Sequence, residues 1–203
     1  MSLNWQRNVA RAIAWRLALV LFLALQSIPG SAQEPGSFAG VPWGATTEVV
    51  IDHHGKPDEV IQDPDFVYMY SDVNVASHTA DMVFTFLDDC LVAGFYVFGD
   101  NNNTVGIFRD IDKKLTARYG RPVFQEEVWL PGASSSDGVR YIDLASGSVK
   151  LFSAWDTEGA TIIHITEAAG DKIFLGVEHT LAYTDPTLLA SAQAQANFFG
   201  GGL

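Results

Sequence analysis

Few side chains in this sequence could carry catalysis or bind a metal, and the five histidines come first. His164 and Glu167 are three residues apart, but they fall in an apolar, β-branched run that is typical of a strand. Residues at this spacing on a strand lie on opposite faces of the sheet. The sequence therefore predicts that His164 and Glu167 do not form an acid–base pair.

A zinc site is the next chemistry to consider. His53 and His54 are adjacent on a predicted helix, where neighbouring side chains point about 100° apart. A zinc ion bound by both would need a third ligand from elsewhere in the chain, such as His78. His54 falls at the core-facing position of the helix, which favours a capping or packing role. We therefore predict no metal site and no cofactor.

Two acidic segments have some features of a reactive or metal-binding site, but each fits a turn or a helix cap better. Asp88 and Asp89 lie between two apolar runs, at a hairpin turn where solvent would screen both carboxylates. The segment 100–104 superficially resembles a calcium loop, but it lacks the glycine at position six and the glutamate at position twelve. Helix capping explains it better. Since the sequence also lacks a nucleophile elbow, a His-Glu-x-x-His motif and a phosphate-binding glycine loop, we predict that the protein is not an enzyme.

Aromatic residues offer the remaining candidate site, which is a surface. Phe66, Tyr68 and Tyr70 alternate along a predicted strand and share one face, while the residues between them are also apolar. The second face is either buried by the rest of the chain or exposed as a binding patch. The predicted binding face consists of Phe66, Tyr68, Tyr70, Phe84, Trp129 and Trp155.

Two segments with one pattern indicate where helices end. Residues 50–57 and 115–122 each give an apolar residue, a bulky residue four positions later, and then glycine, a basic residue and proline. Positions i and i+4 share the buried face, glycine takes a left-handed conformation, and proline prevents continuation. The first helix is predicted to begin near Thr46, and the second after residue 104. The second helix should bury one stripe, formed by Ile107, Ile111, Leu115 and Tyr119.

Each predicted helix is followed by β-branched and aromatic runs that are separated by turn residues, as in antiparallel hairpins. We therefore predict an α+β fold of two tandem α-β-β-β modules with antiparallel sheets, residues 33–100 and 101–170. Residues 171–203 are predicted to be a partly ordered tail outside the core. The predicted strands are 59–61, 66–70, 82–87, 91–98, 123–130, 139–144, 149–155 and 160–167.

The first module resembles a known family. The pattern Gly44-x-Thr46-x-x-x-Val50-x-x-x-His54-Gly55-x-Pro57 is similar to the opening helix of the SmpA/OmlA family of BamE-like modules. That family continues with an aromatic strand and a strand that ends in a polar turn, as residues 66–70 and 84–89 do. A duplicated module also resembles the β-lactamase inhibitory proteins, whose tandem units present a concave aromatic face to a protein. The resemblance implies this fold and non-catalytic protein binding.

The N-terminal segment is typical of a cleavable secretory signal. Three arginines precede an apolar run at 17–25, and Gly30 and Ala32 place small residues before a cut after position 32. Cysteine is absent from the cut, so we predict no lipid anchor. Cys90 is the only cysteine, which excludes an internal disulfide. We predict a periplasmic or secreted bacterial protein, without a membrane span once the signal is removed.

The charge and the motifs together predict a class of function. The chain has 12 basic and 24 acidic residues, and removing the signal makes it still more acidic, which argues against nucleic-acid binding. We predict an exported, non-catalytic protein-binding module that acts as an envelope accessory or inhibitor, with an unidentified protein partner. One alternative is a carrier of a small apolar ligand, bound in a pocket lined by Tyr68, Phe84 and Trp155. A hydrolase is the weakest alternative.

Overall fold

The computed structural model describes residues 36–62, 66–99, 102–133, 138–157, 159–169 and 172–181. The predicted signal, and the part of the predicted tail after residue 181, lie outside these residues. The described helices are α1 (Thr47–His54), α2 (Thr104–Tyr119) and α3 (Tyr141–Ala145). Within the same ranges, no helix combines the length and the apolar character that crossing a membrane requires.

The described residues also form ten strands. A short hairpin comes first, formed by β1 (Ser37–Phe38) and β2 (Val41–Pro42). The other eight strands belong to one antiparallel sheet, in the order β3-β4-β5-β6-β10-β9-β8-β7. They are β3 (Glu59–Gln62), β4 (Phe66–Val75), β5 (His78–Leu87), β6 (Cys90–Phe98), β7 (Phe124–Trp129), β8 (Val149–Asp156), β9 (Ala160–Ala169) and β10 (Lys172–Leu181).

The predicted fold of two tandem α-β-β-β modules is wrong, because the strands form a single continuous sheet. The strand that joins its two halves is β10, which pairs with β6 on one side and with β9 on the other. The sequence assigned this segment to a tail outside the core, whereas the structure puts it at the centre of the sheet. Its side chains from Ile173 to Thr180 are buried, which explains the long apolar run there.

Two hydrophobic cores lie on one face of this sheet. Val50 of α1 packs with the β1–β2 hairpin against side chains of β4, β5 and β6, including Phe84. Residues of α2 and α3 pack against β8, β9 and β10, with Trp155 completely buried. Tyr96 of β6 is partly buried against both cores. The predicted stripe of α2 is confirmed, since Ile107 and Ile111 are buried and the other two residues pack against the core.

The predicted ends of α1 and α2 are also confirmed. Gly55 and Gly120 follow the last helical residues with φ values of 82° and 83°. Their ψ values of −169° and −164° differ from the left-handed helical conformation that the sequence predicted. This extended region at positive φ is accessible essentially only to glycine, so the chain turns sharply at both positions.

The helix start of α1 depends on a residue far away in sequence. Thr46 is the N-cap residue, but its side chain makes no capping hydrogen bond. Asp89 does this instead, because its carboxylate accepts hydrogen bonds from the backbone N–H and the hydroxyl of Thr47 at 3.0 and 2.7 Å. These bonds lower the pKa of Asp89. Asp88 and Asp89 form the predicted hairpin turn, with φ values of 50° and 60°.

One predicted strand is a helix. The β-branched and aromatic residues of 139–144 predict a strand, yet α3 begins at Tyr141. Asp143 accepts hydrogen bonds from the backbone N–H and the guanidinium of Arg140, all at 2.9 Å, and so closes the first turn. This capping arrangement, together with burial of Leu144, favours the helical turn over the extended strand.

Candidate functional site

The structure places the six predicted binding residues mainly in the interior. Tyr68, Tyr70 and Phe84 belong to the core under α1, and Trp155 belongs to the core under α2. Phe66 and Trp129 are partly buried against the same two cores. The four buried side chains therefore act in packing and present no exposed aromatic face.

The predicted ligand pocket is not assembled either. Tyr68 and Phe84 pack in one core, while Trp155 packs in the other. The indole N–H of Trp155 donates a hydrogen bond to the backbone carbonyl of Gly120 at 2.9 Å, which fixes the ring beneath the end of α2. The three side chains proposed to line one pocket therefore do not surround a common space.

His54 and His78 contact different parts of the chain. His54 has its Nε2 atom 3.1 Å from the carbonyl oxygen of Ala39, in keeping with a packing and capping role. His78 lies 2.8 Å from the carboxylate of Asp110, in a different part of the sheet. Among the described residues, no group of three or more histidine, cysteine or acidic side chains is arranged to hold a metal ion.

His164 and Glu167 lie on opposite faces of β9, as their spacing predicts. Glu167 forms an ion pair with Lys150 at 2.6 Å. His164 faces the helices, where it stacks on Phe108 with ring centroids 3.9 Å apart. Ser153 is its cross-strand neighbour on β8. The two residues therefore belong to different environments, and the sequence did not indicate the neighbours that His164 finds.

Asp112, Ser153 and His164 come together between α2 and the sheet, and they are the residue types of a nucleophilic triad. His164 Nδ1 is 3.5 Å from Asp112 Oδ1, which is too long for a well-formed hydrogen bond. Among the described residues, no hydrogen-bond partner is found for the Ser153 hydroxyl or for either ring nitrogen of His164. A triad needs a hydrogen bond between serine and histidine, and substrate must reach the serine. Ser153 and His164 are completely buried, so this arrangement has neither property.

The electrostatics of this buried cluster support a structural role. Burial lowers the pKa of His164, although the nearby Asp112 carboxylate acts in the opposite direction. Burial alone would raise the pKa of Asp112. The contacts of its carboxylate with His164, Ser153 and Gln125 outweigh burial, so the pKa is lowered. The cluster therefore holds a neutral histidine beside a carboxylate, which Gln125 of β7 also contacts at 2.9 Å.

The open edge of the sheet at β7 is the surface best suited to bind another molecule. Leu130 donates its backbone N–H to the carbonyl oxygen of Ser148, on the β8 side. Because backbone direction alternates along a strand, the N–H and C=O groups of the even-numbered residues of β7 also point towards β8. The backbone N–H and C=O groups of Gln125, Glu127 and Trp129 point away from β8. No described residue bonds to these outward groups. The edge therefore offers donors and acceptors for one more strand.

Apolar side chains accompany these backbone groups. Phe124, Val128 and Leu130 lie on the face of the sheet opposite the helices, and their exposed fractions are 36%, 46% and 55%. Val123 continues the exposed apolar segment at the start of the strand, with 69% exposed. We name the outward backbone groups of 125, 127 and 129, with Phe124, Val128 and Leu130, the β7 edge. Its apolar row is an exposed hydrophobic surface of the kind that marks interaction sites.

Sequence reasoning identified β7 as a strand but not as an edge. Glu126 and Glu127 are adjacent, so each face of the strand carries one charge, and such a pattern is unsuited to a strand buried on both sides. This signal was present in the sequence. It could not reveal that β8 pairs with only one side of β7.

Comparison with known proteins adds a distant likeness to one solved structure. No family model matches the chain, and no curated protein matches it. Among solved structures, it is similar to the crystal structure of a DUF4309 family protein (YjgB) from Bacillus subtilis subsp. subtilis str. 168. The TM-score is 0.41 with 11% identity, over 78% of this chain and 89% of that chain. The resemblance to the SmpA/OmlA family and the β-lactamase inhibitory proteins stays a prediction.

Proposed function

We propose that this chain is an exported, non-catalytic binding protein that receives an extended segment of a partner protein along the β7 edge. The observation that carries the proposal is the row of outward backbone groups at Gln125, Glu127 and Trp129, next to exposed apolar side chains. Addition of a strand to such an edge gives affinity through main-chain hydrogen bonds, and side-chain contacts then give selectivity.

Two further features support the proposal. The apolar run and small-residue cut at the N-terminus favour export to the periplasm or the outside of the cell. The cluster of Asp112, Ser153 and His164 lacks the hydrogen bond and the access that catalysis would need. Binding through the rim of the sheet requires neither a pocket nor a reactive group.

Replacing Glu127 by proline tests the edge directly. The N–H of Glu127 points outward, so proline removes a donor that the partner needs without breaking a bond to β8. We expect Glu127→Pro to reduce partner binding at least about tenfold, because a lost main-chain bond and a bulky ring both oppose strand addition. The readout is photo-crosslinking from Val128 in the exported chain, followed by binding of a synthetic peptide copied from the crosslinked segment.

Two matched variants make this test specific. Glu127→Ala keeps the outward N–H and loses only the carboxylate, so it should bind the partner more tightly than Glu127→Pro does. Glu126→Pro removes an N–H that points towards β8, so it should lower the free energy of unfolding by about 1–3 kcal/mol through the lost ladder hydrogen bond. A crosslinker at Val60, exposed on β3 at the other edge of the sheet, is the positional control. Equal crosslinking from Val60 and Val128, or full binding by Glu127→Pro, would contradict the proposal.

A further inference from the structure

The chemistry of the β7 edge also selects the kind of segment that it can accept. Glu126 and Glu127 lie at the middle of the strand, and both are exposed. In the part of the chain that the structure describes, neither carboxylate is within ion-pair distance of a basic side chain. Lys150, which lies opposite Val128 on the neighbouring strand, is already paired with Glu167 at 2.6 Å. The two carboxylates are therefore available to a partner.

We infer that the segment received at the β7 edge is basic at its centre and apolar at the positions on either side. This inference rests on the proposed function, since it describes the partner of that same edge. Residues directly opposite one another on paired strands interact strongly enough for opposite charges to stabilise and like charges to destabilise the pairing. A bound strand thus places one side chain against Glu126 on one face of the sheet and another against Glu127 on the other face.

The apolar positions follow from the same register. Phe124 and Val128 flank Glu126 on its face of the sheet, and Leu130 continues the row. Partner residues opposite these three positions gain by covering exposed apolar area. The two strand ends therefore favour β-branched or other apolar side chains, while the centre favours lysine or arginine.

A second copy of this chain is the occupant that the charges disfavour. Antiparallel pairing of β7 with itself must match outward residues with outward residues. The two symmetric registers with the longest overlap then place Glu127 opposite Glu127, or Glu126 opposite Glu126. Both put like charges directly across the junction, and the chain as a whole carries a formal charge of −12. A basic partner meets neither penalty.

Two synthetic peptides test the inference on the purified chain. The first, Ile-Thr-Val-Lys-Lys-Thr-Ile, places its lysines opposite Glu127 and Glu126 in antiparallel register, and the second replaces both lysines by glutamate. We expect the lysine peptide to bind about tenfold more tightly by fluorescence polarisation, since two cross-strand charge pairs contribute together. In the double variant Glu126→Lys with Glu127→Lys, the preference should reverse towards the glutamate peptide.

The outcomes separate this inference from the proposed function. Equal binding of both peptides that disappears in Glu127→Pro would leave edge docking intact and would overturn the basic partner. Failure of both peptides to bind, or binding that persists in Glu127→Pro, would overturn edge docking as well. Light scattering measures the oligomeric state. A dimer that dissociates in Glu127→Pro would show that a second copy of the chain occupies the β7 edge, which would overturn the basic partner. Circular dichroism of each variant confirms that the sheet is retained.

Discussion

Lowering the pH from 7.5 to 4 is expected to remove about 3 kcal/mol of folding free energy through His179 alone. His179 lies on β10 and is 7% exposed, with its ring 5.4 Å from that of Phe38 and 6.2 Å from that of Tyr96. Burial, assisted by the positive charge of Arg118, lowers the pKa of His179 from 6.5 to about 4. Burial also lowers the pKa of His164, so that residue acts in the same direction.

Stability falls as the pH decreases because the unfolded chain binds the proton more readily than the folded chain does. Between pH 6.5 and about 4, the unfolded chain protonates His179 while the folded chain keeps the ring neutral. Stability is therefore greatest above this window, falls as the pH decreases through it, and levels off below it as far as this group is concerned. Urea unfolding at a series of pH values measures the effect.

A variant makes the pH measurement specific to His179. His179→Leu removes the titrating ring but keeps an apolar side chain of similar reach among Phe38 and Tyr96. Its free energy of unfolding should decline less between pH 7 and pH 4 than that of the unmodified chain, by about 3 kcal/mol. The same decline in both proteins would show that other groups dominate the acid response.

Replacing Gly94 by alanine is the second change with a large expected effect. A Cβ atom at Gly94 would lie 2.1 Å from Cδ1 of Phe38, well inside contact distance. Phe38 is 1% exposed and holds the β1–β2 hairpin against the rings of Phe84 and Tyr96, at centroid distances of 5.2 and 4.8 Å. We expect Gly94→Ala to cost about 3 kcal/mol, at the upper end for an overpacked core.

A double-mutant cycle tests the cause of that loss. Phe38→Ala alone should cost roughly 3–5 kcal/mol, because it leaves a cavity under the hairpin. In the Phe38→Ala background, Gly94→Ala should cost almost nothing, since the ring that it would strike is gone. Gly99→Ala is the control, because a Cβ there meets no atom within 4 Å. Strictly additive costs, measured by urea unfolding, would rule out the proposed clash.

Gly94 also shows why the sequence could not predict part of this fold. In a strand, glycine marks either a bulge or a close approach of another group, and the strand pattern cannot say which. Here the approaching group is Phe38, from a hairpin more than fifty residues earlier in the chain. Asp89 is a similar case, since the sequence identified it as a turn residue but not as the cap of α1. Both contacts depend on how distant segments pack.

Part of the candidate site could likewise be predicted from the sequence, and part could not. The alternation of Phe66, Tyr68 and Tyr70 correctly placed these residues on one face, but a periodic pattern is the same whether that face is covered or exposed. The structure buries Tyr68 and Tyr70, and the exposed apolar row is instead on β7. Since neighbouring strands decide which side chains are covered, no local pattern could have distinguished the two.

Local chemistry let the sequence by itself determine α1 and α2, their ends at Gly55 and Gly120, and the turn at Asp88 and Asp89. Each depends on side chains and backbone conformations within a few residues. Only the tertiary structure decided that β10 joins β6 to β9, so that eight strands form one sheet and β7 is left at its edge. Strand pairing is a choice among distant partners with similar apolar faces, and it is fixed by packing of the whole chain.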